Sequence, residues 1–349
     1  MKLSVVKPPK NILVIRLSAM GDVAMTVPVI RSVVQQNPEV HITVLSRAFF
    51  KPFFNDIPNV LFVEADVKGR HKGFLGLFKL SKELRLLRFD AVADLHNVLR
   101  SNILKFFFKI YLTKVIQIDK GRAAKKALTS GNISSFKQLK TTHERYADVF
   151  RKLGLQVDLS KHKFPVKMEL NPTIQNLVGH DGKQWIGIAP FAQYQSKSYP
   201  LAQLMKVIES LSETSKYKLL LFGGGKKEGD LLNNMASKYE HTINIVGKLS
   251  FQEELRLISN LDLMLSMDSG NGHLAAMYGV PTVTLWGVTH PFAGFAPFGQ
   301  ADNCILADRT KYPLIPTSVY GNKFPAEYKN TIASIEPSEV VKKIVSLLA

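Results

Sequence analysis

Short apolar runs alternate with helix-length stretches along most of this chain, and the alternation runs through twice. In the first series, Asn11 to Arg16, Val40 to Leu45, Leu61 to Val63, Ala91 to Leu95 and Lys114 to Ile118 read as strands. Thr26 to Gln36, Leu75 to Arg88, Leu99 to Leu112 and Thr142 to Leu153 read as helices, with Pro28 tolerated in a first turn. Gly21-Asp22 reads as a turn. The second series places strands at Trp185 to Ala189, Lys218 to Phe222, Thr242 to Val246, Leu261 to Met267 and Thr282 to Trp286. Its helices fall at Leu201 to Glu213, Leu231 to Tyr239, Phe251 to Asn260 and His273 to Tyr278. Such alternation predicts an α/β fold of two parallel sheets with covered faces. Residues 155–182, with Pro165, Pro172 and Gly179, read as the linker, and Pro337 to Leu348 as a terminal helix. The expected division is 1–165, 166–330 and a C-terminal helix in 331–349. In open sheets of this kind ligands gather at the carboxyl ends of the strands.

Charge divides the same way. The chain of 349 residues has a formal net charge of +18, and residues 1–165 hold 29 Lys and Arg against 12 Asp and Glu. That is +17 in one half and +1 in the other. A basic half of this size predicts an anionic partner: nucleic acid, a membrane surface, or a phosphorylated or carboxylated substrate. The alternative is a solvated face that only aids solubility. The single cysteine, Cys304, excludes an internal disulfide framework and suits a reducing compartment. The basic N-terminus MKLSVVKPPK is broken by Pro8-Pro9 and does not read as a signal peptide. No stretch approaches the roughly 18 apolar residues of a membrane span.

The stretch 264–290 is the most specific local signal. An apolar run ends in Asp268-Ser269-Gly270-Asn271-Gly272, a helix follows, and Gly279 and Pro281 precede the next strand. A helix N-terminus offers unpaired N–H groups and a positive dipole end, which suit a diphosphate. The same residues also fit an ordinary βαβ turn with an N-cap aspartate. Several other chemistries are missing. There is no P-loop, no G-x-G-x-x-G, no H-E-x-x-H and no Gly-x-Ser-x-Gly elbow. No Asp-x-Asp pair is present, which weakens the case for a metal–diphosphate clamp.

Four segments belong together: Arg16 to Val23 closing with Pro28; Asp90 to His96; Pro190 to Gln193 followed by Lys197 and Pro200; and Asp268-Ser269-Gly270 with His273. In this order and spacing they resemble glycosyltransferase family 9, the ADP-heptose heptosyltransferases of lipopolysaccharide core synthesis. The resemblance runs from about residue 11 to 290. It implies a GT-B fold, two Rossmann-like domains facing a central cleft, with the acceptor on the N-terminal one and the nucleotide sugar on the C-terminal one. It also implies inversion at the anomeric centre, no catalytic metal and no cofactor beyond the nucleotide-sugar co-substrate, most simply ADP-heptose.

By the same resemblance Asp22 is the general base that takes the acceptor hydroxyl proton, and Lys197 steadies the departing diphosphate. Asp268, Ser269, Gly270 and His273 would hold the donor, with Gln193 beside them and Gly224, Gly225 and Leu249 near the nucleotide base. Each has a plainer reading: Asp22 as a helix N-terminal acid, Lys197 as a solvated loop lysine, His273 as a packed helix residue. Ser18, Gly21, His96, Arg100 and Arg122 are the acceptor-side candidates. Segment 68–126 carries fifteen basic and four acidic residues and would suit an anionic glycolipid. The helix from Leu75 and the Phe106-Phe107-Phe108 cluster could lie on the inner face of the cytoplasmic membrane, or simply pack inward. Asn97 joins His96 after its strand, while His143 and Arg145 match a family segment of open role. Phe191, Tyr199 and Gly225 depart from the family pattern and leave the sugar open. Another nucleotide-sugar enzyme, an epimerase or hydrolase, is the alternative. A nucleic-acid-binding protein is a weaker one, since no RNP-type motif or zinc finger is present.

Overall fold

The computed structural model describes residues 8–179 and 181–349. The N-terminal segment read for a leader falls largely on residues 1–7, outside the described residues. The chain divides into two compact units, one formed by 1–121 with 142–163, the other by 122–141 with 164–349.

The first unit contains β1 (Asn11–Ile15), α1 (Met20–Ala24), α2 (Thr26–Gln36), β2 (His41–Ser46), β3 (Val60–Glu64), α3 (Gly73–Arg85), β4 (Ala91–Asp94), α4 (Leu99–Ile110) and β5 (Lys114–Gln117). After α5 (Arg122–Leu128), which belongs to the second unit, α6 (Thr142–Lys152) returns to the first. The five strands are parallel in the order β3-β2-β1-β4-β5. Residues Ile12 to Ile15 are fully buried, as an unbroken apolar run requires in a sheet covered on both faces. Helices α3 and α4 pack on each other over Leu13, Ile15, Leu45, Leu80 and Leu104.

The second unit continues with α7 (Pro172–Val178), β6 (Gln184–Ala189), α8 (Leu201–Ser212), β7 (Tyr217–Leu221), α9 (Gly225–Ala236) and β8 (Thr242–Asn244). It ends with α10 (Phe251–Ser259), β9 (Leu263–Met267), α11 (Gly270–Ala276), β10 (Thr282–Trp286), β11 (Cys304–Leu306) and α12 (Pro337–Leu348). Its parallel order is β11-β10-β9-β6-β7-β8. Helix α12 lies against α8 and buries Val340 and Ile344 in this unit's core. Segment 122–141 is held here as well. Leu128 and Leu139 pack with Ala293, Phe136 and Phe292, Lys125 Nζ sits 3.9 Å over the Phe295 ring, and Leu139 N–H donates to Phe292 O at 3.0 Å.

Some expectations are corrected. Gly21-Asp22 is not a turn but part of α1. Helix α9 begins at Gly225 rather than Leu231, and α11 at Gly270 rather than His273. Both open on glycines, whose poor helix propensity hides a first turn from the sequence. The linker stretch holds α7, capped by Asn171, whose side chain accepts the Ile174 N–H at 3.0 Å. The basic segment 68–126 is not one face of one unit, because Arg122, Lys125 and Lys126 belong to the second.

Burial lowers three histidines: His96 to about 3, and His162 and His290 to about 4, aided by Arg16, Arg31 and Arg309 respectively. Each therefore takes up its proton more readily in the unfolded chain, so stability falls as pH drops below the unfolded value of about 6.5. Glu254, raised to about 7 by burial, acts oppositely and adds stability as pH falls through 7. Three groups oppose one, so Tm is expected to decrease from pH 6.5 to 4.5. His162→Gln should flatten the slope in thermal melts taken across that range; an unchanged slope would contradict the assignment.

Candidate active site

Strand order reverses in each sheet, between β1 and β4 in the first unit and between β6 and β9 in the second. In open parallel sheets the carboxyl ends flanking such a reversal form the binding crevice. The four sequence segments singled out above reach those ends: Arg16 to Val23 follows β1, Asp90 to His96 runs through β4 to its carboxyl end, Pro190 to Lys197 follows β6, and Asp268 to His273 follows β9.

In the first unit Asp22 is the third residue of α1. Its Oδ2 lies 2.6 Å from Arg16 Nη2 and accepts the Ala19 N–H at 3.4 Å. Oδ1 has no hydrogen bond among the described residues, and the side chain is 33% exposed. One oxygen is thus fixed and the other is open to a hydroxyl. Arg16 is itself buried at the end of β1, where Nη1 donates to Leu95 O at 2.8 Å. Its guanidinium lies 5.9 Å from the Tyr146 ring centre, and the Tyr146 hydroxyl donates to the Asp22 carbonyl at 3.4 Å. Burial pushes that phenol above its ordinary pKa, so it stays a donor. Ser18, just before α1, and Gly21, its second residue, are both half-buried.

His96 follows β4, and its Nδ1 accepts the Leu17 N–H at 3.3 Å. Burial, with Arg16 and Lys120 nearby, keeps the ring neutral, so its proton sits on Nε2. Asp94 fixes this loop. Its Oδ1 accepts the N–H groups of His96 (2.9 Å) and Asn97 (3.0 Å), and its Oδ2 accepts from Ser101 Oγ (3.0 Å) and Gln117 Nε2 (2.6 Å). Arg100 is exposed on the first turn of α4. Arg122 is exposed too, but on α5, which belongs to the second unit, whereas Ser18, Gly21, His96 and Arg100 belong to the first. Arg145 donates to the Asp119 carbonyl at 3.2 Å and closes over Gly121, a role in holding the loop after β5.

In the second unit Lys197 Nζ lies 3.2 Å from Asp268 Oδ2, and each side chain is 12% exposed. Thr289 Oγ1 donates to the same oxygen at 2.9 Å. The turn bearing Lys197 is held by Ser196 Oγ, which donates to Gly321 O at 2.5 Å. Gly321 has φ +87, and a Cβ there would stand 2.8 Å from Lys197 Cγ, so only glycine lets the lysine stem pass. Ser269 stands at the N-cap position of α11 with its Oγ buried and without a hydrogen bond among the described residues, Gly270 opens that helix, and His273 is buried on it. Gln193 is exposed beside the β6 loop. Gly224 and Gly225 face open space at the start of α9, where Gly224 N–H donates to Glu228 Oε2 at 2.7 Å. Leu249 is buried on the loop after β8. Phe191 packs beside Gly223, and Tyr199 is a core residue whose hydroxyl donates to Ile335 O at 2.7 Å.

Residues 77–320 match the model of glycosyltransferase family 9 (heptosyltransferase), which covers more than half of the sequence. The chain belongs to glycosyltransferase family 9. It is a glycosyltransferase, and its fold is GT-B. The lipopolysaccharide core heptosyltransferase OpsX of Haemophilus influenzae is 22% identical over 300 residues, spanning 85% of this chain and 84% of that protein. Among solved structures, a family 9 glycosyltransferase from Veillonella parvula aligns with a TM-score of 0.73 at 21% identity, covering 97% of both chains. The ADP-heptose lipopolysaccharide heptosyltransferase II of E. coli aligns at 0.68 and 20% identity, covering 97% of this chain and 98% of that one.

Sequence reasoning missed three parts of this candidate site: Arg16 as the clamp on Asp22, Tyr146 behind it, and Thr289 with Gly321 around Lys197. Arg16 had a local signal, a charge closing an apolar strand. The others come from distant parts of the chain and leave none.

Proposed function

We propose that this glycosyltransferase moves heptose from ADP-heptose to a hydroxyl of an anionic lipopolysaccharide-core acceptor, with inversion and without a catalytic metal. The observation that carries the reading is Asp22, a carboxylate anchored through one oxygen with the other exposed at the strand reversal of the first unit. A single base of this kind suits direct displacement: Asp22 Oδ1 takes the hydroxyl proton as that oxygen attacks the anomeric carbon. The nucleoside diphosphate leaves with its bonding pair, and Lys197 meets the charge that develops on it. Ser269 Oγ and the N–H groups opening α11 are the other donor-side groups. Neutral His96 could donate from Nε2 to an acceptor oxygen. The names of the relatives, an ADP-heptose enzyme and a lipopolysaccharide core enzyme, support the donor and the acceptor class. The basic first unit favours an anionic glycolipid, and we place the enzyme on the inner face of the cytoplasmic membrane, with nucleic acid no part of its activity.

A thermal-shift screen with EDTA present tests the donor. ADP and ADP-heptose are expected to raise Tm more than UDP, GDP, CDP and their sugars, because a ligand of the folded state alone stabilises it. A selective shift with another nucleotide would replace the donor. Transfer that needs added divalent cation would overturn metal independence, and a product with the donor's anomeric configuration would overturn inversion.

A further inference from the structure

The first unit has an open groove of 640 Å³ between the N-terminal turns of α3 and α4. Ligand pockets commonly span about 300–1,000 Å³, so it can take a substantial group. Its floor is apolar, formed by Val67, Leu77 and Ile103. Its walls are Phe74 and Leu99, which stand 57% and 76% exposed. Large apolar side chains left open around a concave apolar floor mark a surface that something apolar covers.

The rim has one sign of charge. Lys68, Lys72 and Arg100 line it, and none has an ion-pair partner among the described residues. The nearby carboxylates are already engaged. Asp66 accepts the N–H groups of Gly69 (2.8 Å) and Arg70 (2.9 Å), and Glu83 faces His71 and Arg70. An apolar trough with three unneutralised cations at its lip is complementary to a molecule with an alkyl chain and a phosphorylated head.

We propose that the groove between α3 and α4 seats an alkyl chain of a phosphate-bearing amphiphile, with Lys68, Lys72 and Arg100 on its headgroup. The proposal deepens the glycolipid-acceptor reading and rests on it for the chain's origin. It makes the enzyme grip part of its acceptor lipid itself, rather than only the sugar end.

Calorimetric titration of the full chain with dodecyl phosphate below micelle formation tests it. Dodecyl maltoside supplies the same chain without charge, and inorganic phosphate the charge without a chain. Dodecyl phosphate is expected to bind about tenfold or more tightly than either, since chain burial and headgroup attraction add. Ile103→Trp, which fills the floor, and Phe74→Ala, which removes a largely exposed wall whose ring edge meets Phe107, should each weaken it by about tenfold. Equal binding of dodecyl maltoside, equal binding of inorganic phosphate, or full affinity in a folded Phe74→Ala would overturn the proposal. So would binding seen only with phosphatidylglycerol vesicles, which would make this face a bilayer-docking surface. Transfer from ADP-heptose to a deacylated, water-soluble acceptor separates the two readings. Phe74→Ala and Ile103→Trp should preserve it, and its absence in the unmodified enzyme would fell the heptosyltransferase reading while leaving the groove result standing.

Discussion

Asp22→Asn should leave the first unit folded and lower the transfer rate by about 10²–10⁴-fold, the range for loss of a general base. Asparagine keeps the shape of the side chain, and its amide oxygen can still accept from Arg16 and from the Ala19 N–H. What disappears is the basic oxygen. The loss should fall on kcat, with donor affinity preserved, because Asp22 belongs to the unit that lacks the donor candidates. Steady-state transfer with ADP-heptose, alongside a thermal melt, reads the outcome. A folded Asp22→Asn enzyme with unaltered kcat would remove Asp22 from the chemistry.

Lys197→Met should be the second largest loss, about 10²–10³-fold in kcat, as for removal of one preorganised stabilising group from a shielded site. The ammonium is held 3.2 Å from Asp268, which Thr289 also holds, so the charge is in place before substrate arrives. Methionine keeps the stem that runs past Gly321 but leaves Asp268 without its cation. Some stability should be lost with it, because a mostly buried carboxylate is then unpaired. Asp268→Asn added to Lys197→Met should restore Tm without restoring kcat. A double variant that recovers the rate would mean that the lysine acts only by neutralising Asp268.

Much of the fold was legible because strand, turn and helix alternate with clear punctuation. Ile12 to Ile15 and Leu263 to Leu265 announce buried parallel strands through unbroken apolar runs. The four candidate-site segments were legible for the same reason, since each lies at the carboxyl end of a strand. Other features were hidden. The three residues of β11 are too few for any periodicity. The clamp on Asp22 needs Tyr146, 124 residues away, and the seat of Lys197 needs Gly321, 125 residues from Ser196. Composition also misled. Segment 122–141 is basic like the first half of the chain, yet its fate is set by Leu128, Phe136 and Leu139, whose partners lie beyond residue 290.

That segment has a consequence for how the protein is made. Synthesis releases residues 122–141 from the ribosome about 150 residues before Ala293, Phe292 and Phe295 exist to receive them. The first unit can complete its five strands and then α6 while the apolar side chains of this basic segment hang from it unsheltered. A nascent chain stalled shortly before residue 290 therefore presents Leu128, Phe136 and Leu139 to solvent, a target for chaperones and a seed for aggregation.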